Sequence, residues 1–222
     1  MKTFQELQEG LFDPIIFKAF FLAGGPGSGK SFVAGKVISR GTGIKTVNSD
    51  DAFEHLLKKA GLSLKMPESE TEPRDVARTR AKEITDAKKG NYLEGRLGLI
   101  IDGTGAKSDK LLRHKGHLEE LGYDTYMVFV NTSLDVALER NAKRTRSVPE
   151  SIVVKSWKDV QANIGRFNTA FKGTNMIIVD NNSVNDDIFA AASKRVRGLL
   201  RNKVQNNRAK EWMALELAKK RR

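Results

Sequence analysis

One run of eight residues carries the clearest chemistry in this sequence. Residues 24–31 read GGPGSGKS and match the phosphate-binding pattern G-x-x-x-x-G-K-[ST]. The apolar residues 15–23 precede this loop and predict a buried strand, and residues 32–40 follow it with helical spacing. Glycines let successive backbone N–H groups and a helix N-terminus converge on a phosphate chain. The strand, loop and helix therefore predict a nucleoside triphosphate site.

Two side chains of this loop have predicted roles. Lys30 is expected to reach the terminal phosphates, and the Ser31 hydroxyl is expected to ligate Mg²⁺. Position alone assigns adenine recognition to Asn181, in the loop after the fifth predicted strand. The predicted nucleotide-binding residues are Gly25, Gly27, Ser28, Gly29, Lys30, Ser31, Phe32 and Asn181.

Carboxylates follow two further predicted strands. A short strand leads into Asp50 and Asp51, and the apolar residues 97–101 end at Asp102. In open α/β sheets, ligands bind outside the carboxyl ends of the strands. Either Asp50 or Asp51 could cap the next helix; we expect Asp51 to cap it and Asp50 to accept the proton of an attacking hydroxyl. Because an apolar strand ended by Asp has the form of a Walker B element, Asp102 joins Ser31 as a candidate Mg²⁺ ligand.

A basic cluster follows the fourth predicted strand. Arg140, Lys143, Arg144 and Arg146 lie within seven residues, on a helix predicted over residues 134–146. Such a cluster could close over the triphosphate as a lid and neutralise charge on the transferred group. The alternative is a solvated helix face.

Composition restricts the class of protein. The 222 residues are 39% hydrophobic and 30% charged, which fits one soluble domain. The absence of cysteine excludes disulfides, thiolate zinc sites and a cysteine nucleophile. His114 and His117 form a candidate metal pair without a third ligand nearby, so a solvated surface is the favoured interpretation. No apolar run is long enough to span a bilayer, and we expect a cytoplasmic protein with no membrane partner.

Positive charge is concentrated at the C-terminus. Residues 193–222 hold eleven Lys or Arg and two Glu, a net +9 of the whole-chain +12. A basic segment of this kind suits a nucleic acid, and a solvated helix that aids solubility is an equally supported interpretation. We expect a kinase-type domain over residues 1–202, with a lid at about 138–150, and a loosely attached helical tail over 203–222.

Five predicted strands alternate with helices, which predicts a parallel sheet covered on both faces. Four elements of this pattern resemble the kinase domain of phage-type polynucleotide 5′-kinases: the phosphate loop, NSDD at 48–51, IIDGT at 100–104 and RNAKR at 140–144. The likeness spans about residues 17–179 and extends more loosely to the zeta-toxin kinases. It implies an α/β P-loop fold with strand order 2-3-1-4-5 and a helical lid, ATP and Mg²⁺ as cofactors, and a host cytoplasm for a phage-encoded chain.

The resemblance also implies roles for individual residues. Asp50 corresponds to the general base, and Asp102 with Thr104 lies near the acceptor. Arg140 and Arg144 correspond to lid arginines, and Arg144 is the one we assign to the transition state.

Phe53 departs from the family pattern. Polynucleotide kinases carry an arginine three residues after the base, which holds the acceptor's phosphate, and this chain has Phe53 there. We predict an ATP-dependent kinase acting on the 5′-hydroxyl of a nucleic acid. One alternative is a zeta-toxin-like kinase or a kinase of a sugar-nucleotide, nucleoside or other small metabolite, which Phe53 favours and the basic tail disfavours. Another is a nucleic-acid-binding or assembly protein with a regulatory nucleotide-binding domain. The choice of ATP over GTP and the oligomeric state stay open.

Overall fold

A parallel sheet forms the centre of the molecule. The computed structural model describes residue 11 and residues 13–65, 67–145 and 147–220. In that part of the chain five strands pair in parallel in the order β2-β3-β1-β4-β5, and the predicted strand order is confirmed. The strands are β1 Lys18–Ala23, β2 Lys45–Val47, β3 Leu99–Ile101, β4 Asp124–Asn131 and β5 Met176–Asp180.

Helices connect successive strands and cover the sheet. The helices described are α1 Lys30–Val33, continued by a π-helical segment Ala34–Ser39, then α2 Asp50–Lys59, α3 Thr71–Glu94, α4 Ser108–Glu120, α5 Leu134–Ala142, α6 Glu150–Ala162, α7 Ile164–Ala170, α8 Asp186–Arg201 and α9 Asn207–Lys220, with a 3₁₀ turn at Glu68–Glu70. Among the described residues, no helix has the length and apolar content needed to cross a membrane.

The sheet separates two apolar cores. On one face α1, its π-helical continuation and α8 pack on the strands through residues such as Phe20, Val33 and Phe189. On the other face α4, α6, α7 and α9 pack through residues such as Phe21 and Phe167. Side chains alternate along a strand, so Phe20 and Phe21 of β1 point to opposite cores. Burial on both faces explains the continuous apolar sequence of this central strand.

Helices α2 and α3 form a hairpin with a small apolar cluster of its own. We call residues 50–94 the α2–α3 hairpin. Its buried residues are Phe53 and Leu57 of α2 and Ala77 and Ala81 of α3, and α3 contacts the edge strand β2. The hairpin is therefore a separate packing unit at the β2 edge of the sheet.

The first strand begins later than predicted. Residues 14–17 form a turn, with Phe17 at a φ of 56°. Lys18 opens the strand and is fully buried, because its Nζ pairs with Asp124 at 2.8 Å and donates to the Tyr126 hydroxyl at 3.3 Å. A buried ammonium group needs such partners.

Helix ends also differ from the sequence prediction. Helix α3 includes Pro73, because this proline lies in the first turn, where its missing N–H costs nothing. The helix expected over residues 134–146 ends at Ala142. Arg144 therefore lies in a loop, and Arg146 lies outside the described residues.

The apolar stripe from Val153 to Phe171 lies on two helices, α6 and α7, with a break at Asn163. The Nδ2 of Asn163 donates to the carbonyl oxygens of Gly105 and Ala106 at 3.0 Å each. Because this amide binds the loop that follows β3, the break brings that loop against the helices.

The C-terminal segment packs more closely than we expected. Ala209 is fully buried, and the Trp212 ring lies edge-on to Phe17 with their centroids 5.4 Å apart. Just before α9, the N–H groups of Gln205 and Asn206 donate to the Asp124 carboxylate at 2.9 and 3.0 Å. The segment is thus joined to the core that contains Phe17, and residues 221 and 222 of the predicted tail lie outside the described part.

Candidate active site

The phosphate loop joins β1 to α1 in the predicted context, and neighbouring loops hold it. The Gly24 N–H donates to the Thr104 carbonyl oxygen at 2.9 Å. The Asn181 Nδ2 donates to the Ser28 carbonyl oxygen at 2.8 Å. Asn181 is buried, so its amide joins the loop to the end of β5 while Thr104 joins it to the end of β3.

Two glycines of the loop are required by its geometry. Gly27 has a φ of 78°, and a Cβ there would collide with the Ala137 carbonyl oxygen on α5. Gly29 has a φ of 82°, and a Cβ there would collide with the Asn181 Nδ2. The loop therefore lies directly against α5 and the loop that follows β5, and side chains larger than hydrogen do not fit at these positions.

Lys30 bends back over its own loop. Its Nζ donates to the carbonyl oxygens of Gly24 at 2.7 Å and Gly25 at 3.4 Å. Burial lowers the pKa of Lys30 from its ordinary value, while the charges of Asp102 and Asp50 oppose that shift. A cation buried beside these two carboxylates marks the position where phosphate charge would be stabilised.

One amide side chain joins the two acidic residues that follow β2 and β3. The Asn48 Nδ2 donates to Asp102 Oδ2 at 2.8 Å, and Asn48 Oδ1 accepts the Asp50 N–H at 2.8 Å. Asn48 therefore sets the position of Asp50 relative to Asp102. Ser49 is the N-cap of α2, and Asp51 lies in the first helical turn, so the expectation that Asp51 caps this helix is wrong.

The surroundings of Ser31 and Asp102 bear on their predicted role as Mg²⁺ ligands. Ser31 is exposed in the first turn of α1, and Asp102 Oδ1 is buried without a hydrogen-bond partner among the described residues. Burial raises the pKa of Asp102, and the Lys30 charge opposes this shift. No group of three His, Cys, Asp or Glu side chains in the described ranges could hold a metal by itself. One hydroxyl and one carboxylate nevertheless fit Mg²⁺, which usually keeps several waters and takes further ligands from substrate phosphates.

The two arginines predicted for the lid, Arg140 and Arg144, occupy different surroundings. The Arg140 guanidinium donates to the carbonyl oxygens of Asn181 at 2.6 Å and Asn182 at 3.4 Å, so it binds the loop after β5. Arg144 is exposed, and its positive charge contributes to lowering the pKa of Lys30. Arg140 also lies beside the phosphate loop, because its Nη1 is 3.9 Å from the position that a Cβ would take at Gly29.

A buried amide that the sequence did not single out shapes the lid. The Asn141 Nδ2 donates to the Val148 carbonyl oxygen at 2.8 Å, and the Val148 N–H donates to Asn141 Oδ1 at 3.1 Å. This reciprocal pair closes the loop that carries Arg144. Asn141 belongs to the RNAKR element, so its importance was indicated by the sequence. Its hydrogen-bond partner Val148 could not be predicted from residue spacing.

Arg78 of α3 is a second residue that sequence reasoning missed. Its Nη1 lies 2.9 Å from Asp50 Oδ1, and its guanidinium carbon lies 4.3 Å from the centroid of the Phe53 ring. Phe53 is buried, so its ring forms a surface on which the guanidinium stacks. An arginine from another helix thus contacts Asp50 beside the position where the family pattern has its arginine.

The remaining candidates lie at the edges of the site. Thr104 is exposed, and its Oγ1 accepts the Ala106 N–H at 3.3 Å. Phe32 is 50% exposed and packs edge-on against Phe189 at a centroid distance of 5.6 Å. Its contact with a nucleotide stays a prediction.

His114 is partly buried. The favoured interpretation of the His114 and His117 pair was a solvated surface. Its ring is edge-on to Phe21, and burial, with smaller contributions from neighbouring cations such as Lys89, lowers its pKa to about 4.

Strand order, phosphate loop and sheet coverage define the P-loop kinase fold. A family profile described as an AAA domain matches residues 20–167, more than half of the chain, and the protein belongs to this family. A comparison with curated protein sequences finds no match.

Solved structures share this fold. A protein assigned as a kinase from Chloroflexus aurantiacus J-10-fl is 14% identical, with a TM-score of 0.58 over 82% of this chain and 98% of that one. A gluconokinase from Sinorhizobium meliloti 1021 is 18% identical, with a TM-score of 0.51 over 84% of this chain and 95% of that one. A chain of the Pnkp1/Rnl/Hen1 RNA repair complex is 26% identical, with a TM-score of 0.52 over 68% of this chain but 46% of that longer chain.

Proposed function

We propose that this protein is an ATP-dependent kinase that phosphorylates the 5′-hydroxyl of a nucleic acid. The observation that carries the proposal is the convergence of Lys30, Asp50 and Asp102 at the carboxyl edge of the sheet, where Asn48 hydrogen-bonds to both acidic residues. A cation at the phosphate loop and a carboxylate beside it are the two groups that transfer to a hydroxyl needs.

The roles of the residues follow from this arrangement. The acceptor oxygen attacks the γ-phosphorus of ATP, its proton passes to the Asp50 carboxylate, the bond to the β–γ bridging oxygen breaks, and ADP leaves. Lys30 and Arg144 stabilise the negative charge that develops on the transferred group. Mg²⁺ held by Ser31 and Asp102 would neutralise phosphate charge.

Two observations favour a nucleic acid as the acceptor. The first is a series of exposed basic residues on and around α8 and α9: Lys194, Arg197, Arg201, Lys203, Arg208 and Lys210. Exposed cations of this kind suit a phosphate backbone, although the two helices pack on opposite faces of the sheet. The second is the 26% identity to a chain of an RNA repair complex.

The test is transfer of labelled γ-phosphate from ATP to 5′-hydroxyl DNA and RNA oligonucleotides by wild type and Asp50→Asn. We expect Asp50→Asn to lose about 10²- to 10⁴-fold in transfer rate while it still binds ATP. Asp51→Asn is the matched control and should retain transfer, because Asp51 is exposed in the first turn of α2. Full transfer by Asp50→Asn would remove Asp50 as the base.

A kinase of a small metabolite is the second candidate. Phe53 favours it, because a buried aromatic ring at this position cannot itself bind an acceptor phosphate. Nucleosides and UDP-N-acetyl sugars in the same assay distinguish the candidates. Label on one of these compounds and none on the oligonucleotides would establish the second.

A further inference from the structure

A cavity of about 330 Å³ lies beside the candidate active site, between the end of β3 and α4. Its walls include Asp102 and Thr104 at the end of β3 and His114 on α4. Asp102 also belongs to the candidate active site, because Asn48 donates to its carboxylate and accepts the Asp50 N–H. The cavity therefore borders the site where the acceptor hydroxyl must lie.

This cavity has apolar walls and a positively charged rim. Phe21, Ile101 and Leu111 give it apolar walls, and the side chains of Lys107 and Lys110 are exposed at its rim. A flat ring can cover apolar walls with its faces, whereas a free sugar needs hydrogen-bond partners around its whole edge. The lysines favour a negatively charged group next to that ring.

Two residues that line the same cavity each have one buried polar atom without a hydrogen-bond partner among the described residues. His114 Nε2 and Asp102 Oδ1 have no hydrogen-bond partner within the described ranges, although both residues line the cavity. Buried polar atoms in folded proteins are nearly always paired, so an unpaired donor or acceptor in a cavity wall needs an explanation. The lowered pKa of His114 keeps its imidazole neutral at physiological pH, and a neutral ring can accept or donate one hydrogen bond there.

We propose that this cavity binds the terminal nucleotide of the acceptor, with its heteroaromatic base between the apolar walls and a neighbouring phosphate at Lys107 and Lys110. The base edge hydrogen-bonds to His114 Nε2. This assignment rests on the proposed kinase function and names the part of the acceptor that the enzyme recognises. The acceptor class is a base-bearing nucleotide, either free or at the end of a strand.

The experiment measures acceptor KM, ATP KM and kcat for two variants. Lys107→Gln with Lys110→Gln removes the rim charges, and His114→Phe keeps a ring but removes its nitrogens. We expect each variant to raise the acceptor KM about tenfold, the cost of one charged or buried hydrogen-bonding interaction, with ATP KM unchanged. Lys172→Gln is a single-charge control far from the cavity, because Lys172 precedes β5 at the edge of the sheet. Unchanged acceptor KM in both variants would overturn the proposal.

Three acceptors distinguish a free nucleotide from a strand end and test whether the terminal base is recognised. They are a nucleoside 3′-monophosphate, a 5′-hydroxyl decanucleotide, and the same decanucleotide with an abasic 5′-terminal residue. We expect the abasic strand to have the higher KM in wild type and to be insensitive to His114→Phe. A KM that does not depend on the terminal base would exclude a base in the cavity.

Calorimetric titration with the nucleoside 3′-monophosphate, in the absence of ATP, separates this inference from the kinase proposal. Binding that both variants weaken, without any transfer, would retain the cavity assignment and remove the kinase function. Transfer at wild-type KM by both variants would retain the kinase function and remove the cavity assignment.

Discussion

The nucleotide side and the acceptor side of this site are built in different ways. The phosphate loop lies against α5 and is bound by Thr104 and Asn181 through hydrogen bonds of 2.9 and 2.8 Å. The α2–α3 hairpin has its own small cluster at the edge of the sheet and reaches the site through Arg78 and Asp50. The phosphate loop is thus held by loops that follow the central strands, whereas the carboxylate proposed as the base belongs to a smaller unit with fewer buried residues.

The largest expected effect is at the phosphate loop. Gly27→Ala would place a Cβ against the Ala137 carbonyl oxygen at a φ of 78°, so we expect a loss of about 4 kcal/mol or more in the free energy of unfolding, and no ATP binding. Denaturant titration and ATP calorimetry measure both. Gly35→Ala is the control, because a Cβ there meets no atom of the described chain within 4 Å; this helical substitution should stabilise by about 0.5–1 kcal/mol. A Gly27→Ala protein that binds ATP normally would show that α5 can shift to accommodate the added Cβ.

The next effect is at the hairpin cluster. Leu57 is fully buried, and Leu57→Ala should lower the free energy of unfolding of the hairpin by about 3 kcal/mol through lost burial and a cavity. Hydrogen exchange should accelerate in α2 and α3 while β1 and β4 keep their protection.

The exposed Val76 on α3 provides the control, and Val76→Ala should leave exchange unchanged. Equal acceleration in the central strands would mean that the hairpin does not open separately from the sheet.

Arg78 tests the link between the hairpin and the base. Arg78→Ala should lower kcat/KM for the acceptor by about 10- to 30-fold, equivalent to about 1.5–2 kcal/mol, because a charge-assisted contact with Asp50 is lost. Stability and ATP KM should change little, since the side chains of Arg78 and Asp50 are 38% and 43% exposed.

Two further variants show whether the role of Arg78 is specific. Arg80→Ala, which breaks an exposed pair with Glu83, should leave the kinetics intact. Arg78→Lys should rescue only part of the rate, because Lys lacks the planar group that stacks on Phe53. A full rescue by Lys would reduce the role of Arg78 to charge alone.

The smallest effect is a pH dependence from His114. The ordinary pKa of this side chain is 6.5, and burial lowers that of His114 to about 4 in the folded protein. As pH falls through this interval, the unfolded chain gains a proton that the folded protein does not accept, so the free energy of unfolding decreases. His114→Phe should therefore show a shallower fall of Tm from pH 6.5 to 4. Arg113→Gln, an exposed neighbour, should keep the wild-type slope.

Local sequence predicted the nucleotide side well, because strand, loop and helix are adjacent in the chain. The strand order could be expected as well, since the resemblance covered most of the chain. Contacts between residues that are distant in the sequence could not be predicted from it. Arg78 meets Asp50 across 28 positions, and no periodicity in α3 marks it as a site residue. The break at Asn163 was hidden, because an apolar stripe continues through it while its amide binds a loop 57 positions away.

The Asn48 amide has a consequence for engineering. An amide has one donor end and one acceptor end, so it can hold a carboxylate and a backbone N–H at once, and Asn48→Asp would instead add a third negative charge between them. Through Asn48, Asp50 is anchored to the strand ends as well as to the hairpin that begins with it. Residues 53–94 can then be exchanged as one unit: a different hairpin grafted after Asp50 should change the surroundings of the proposed base while the cavity beside β3 and the phosphate loop stay in place.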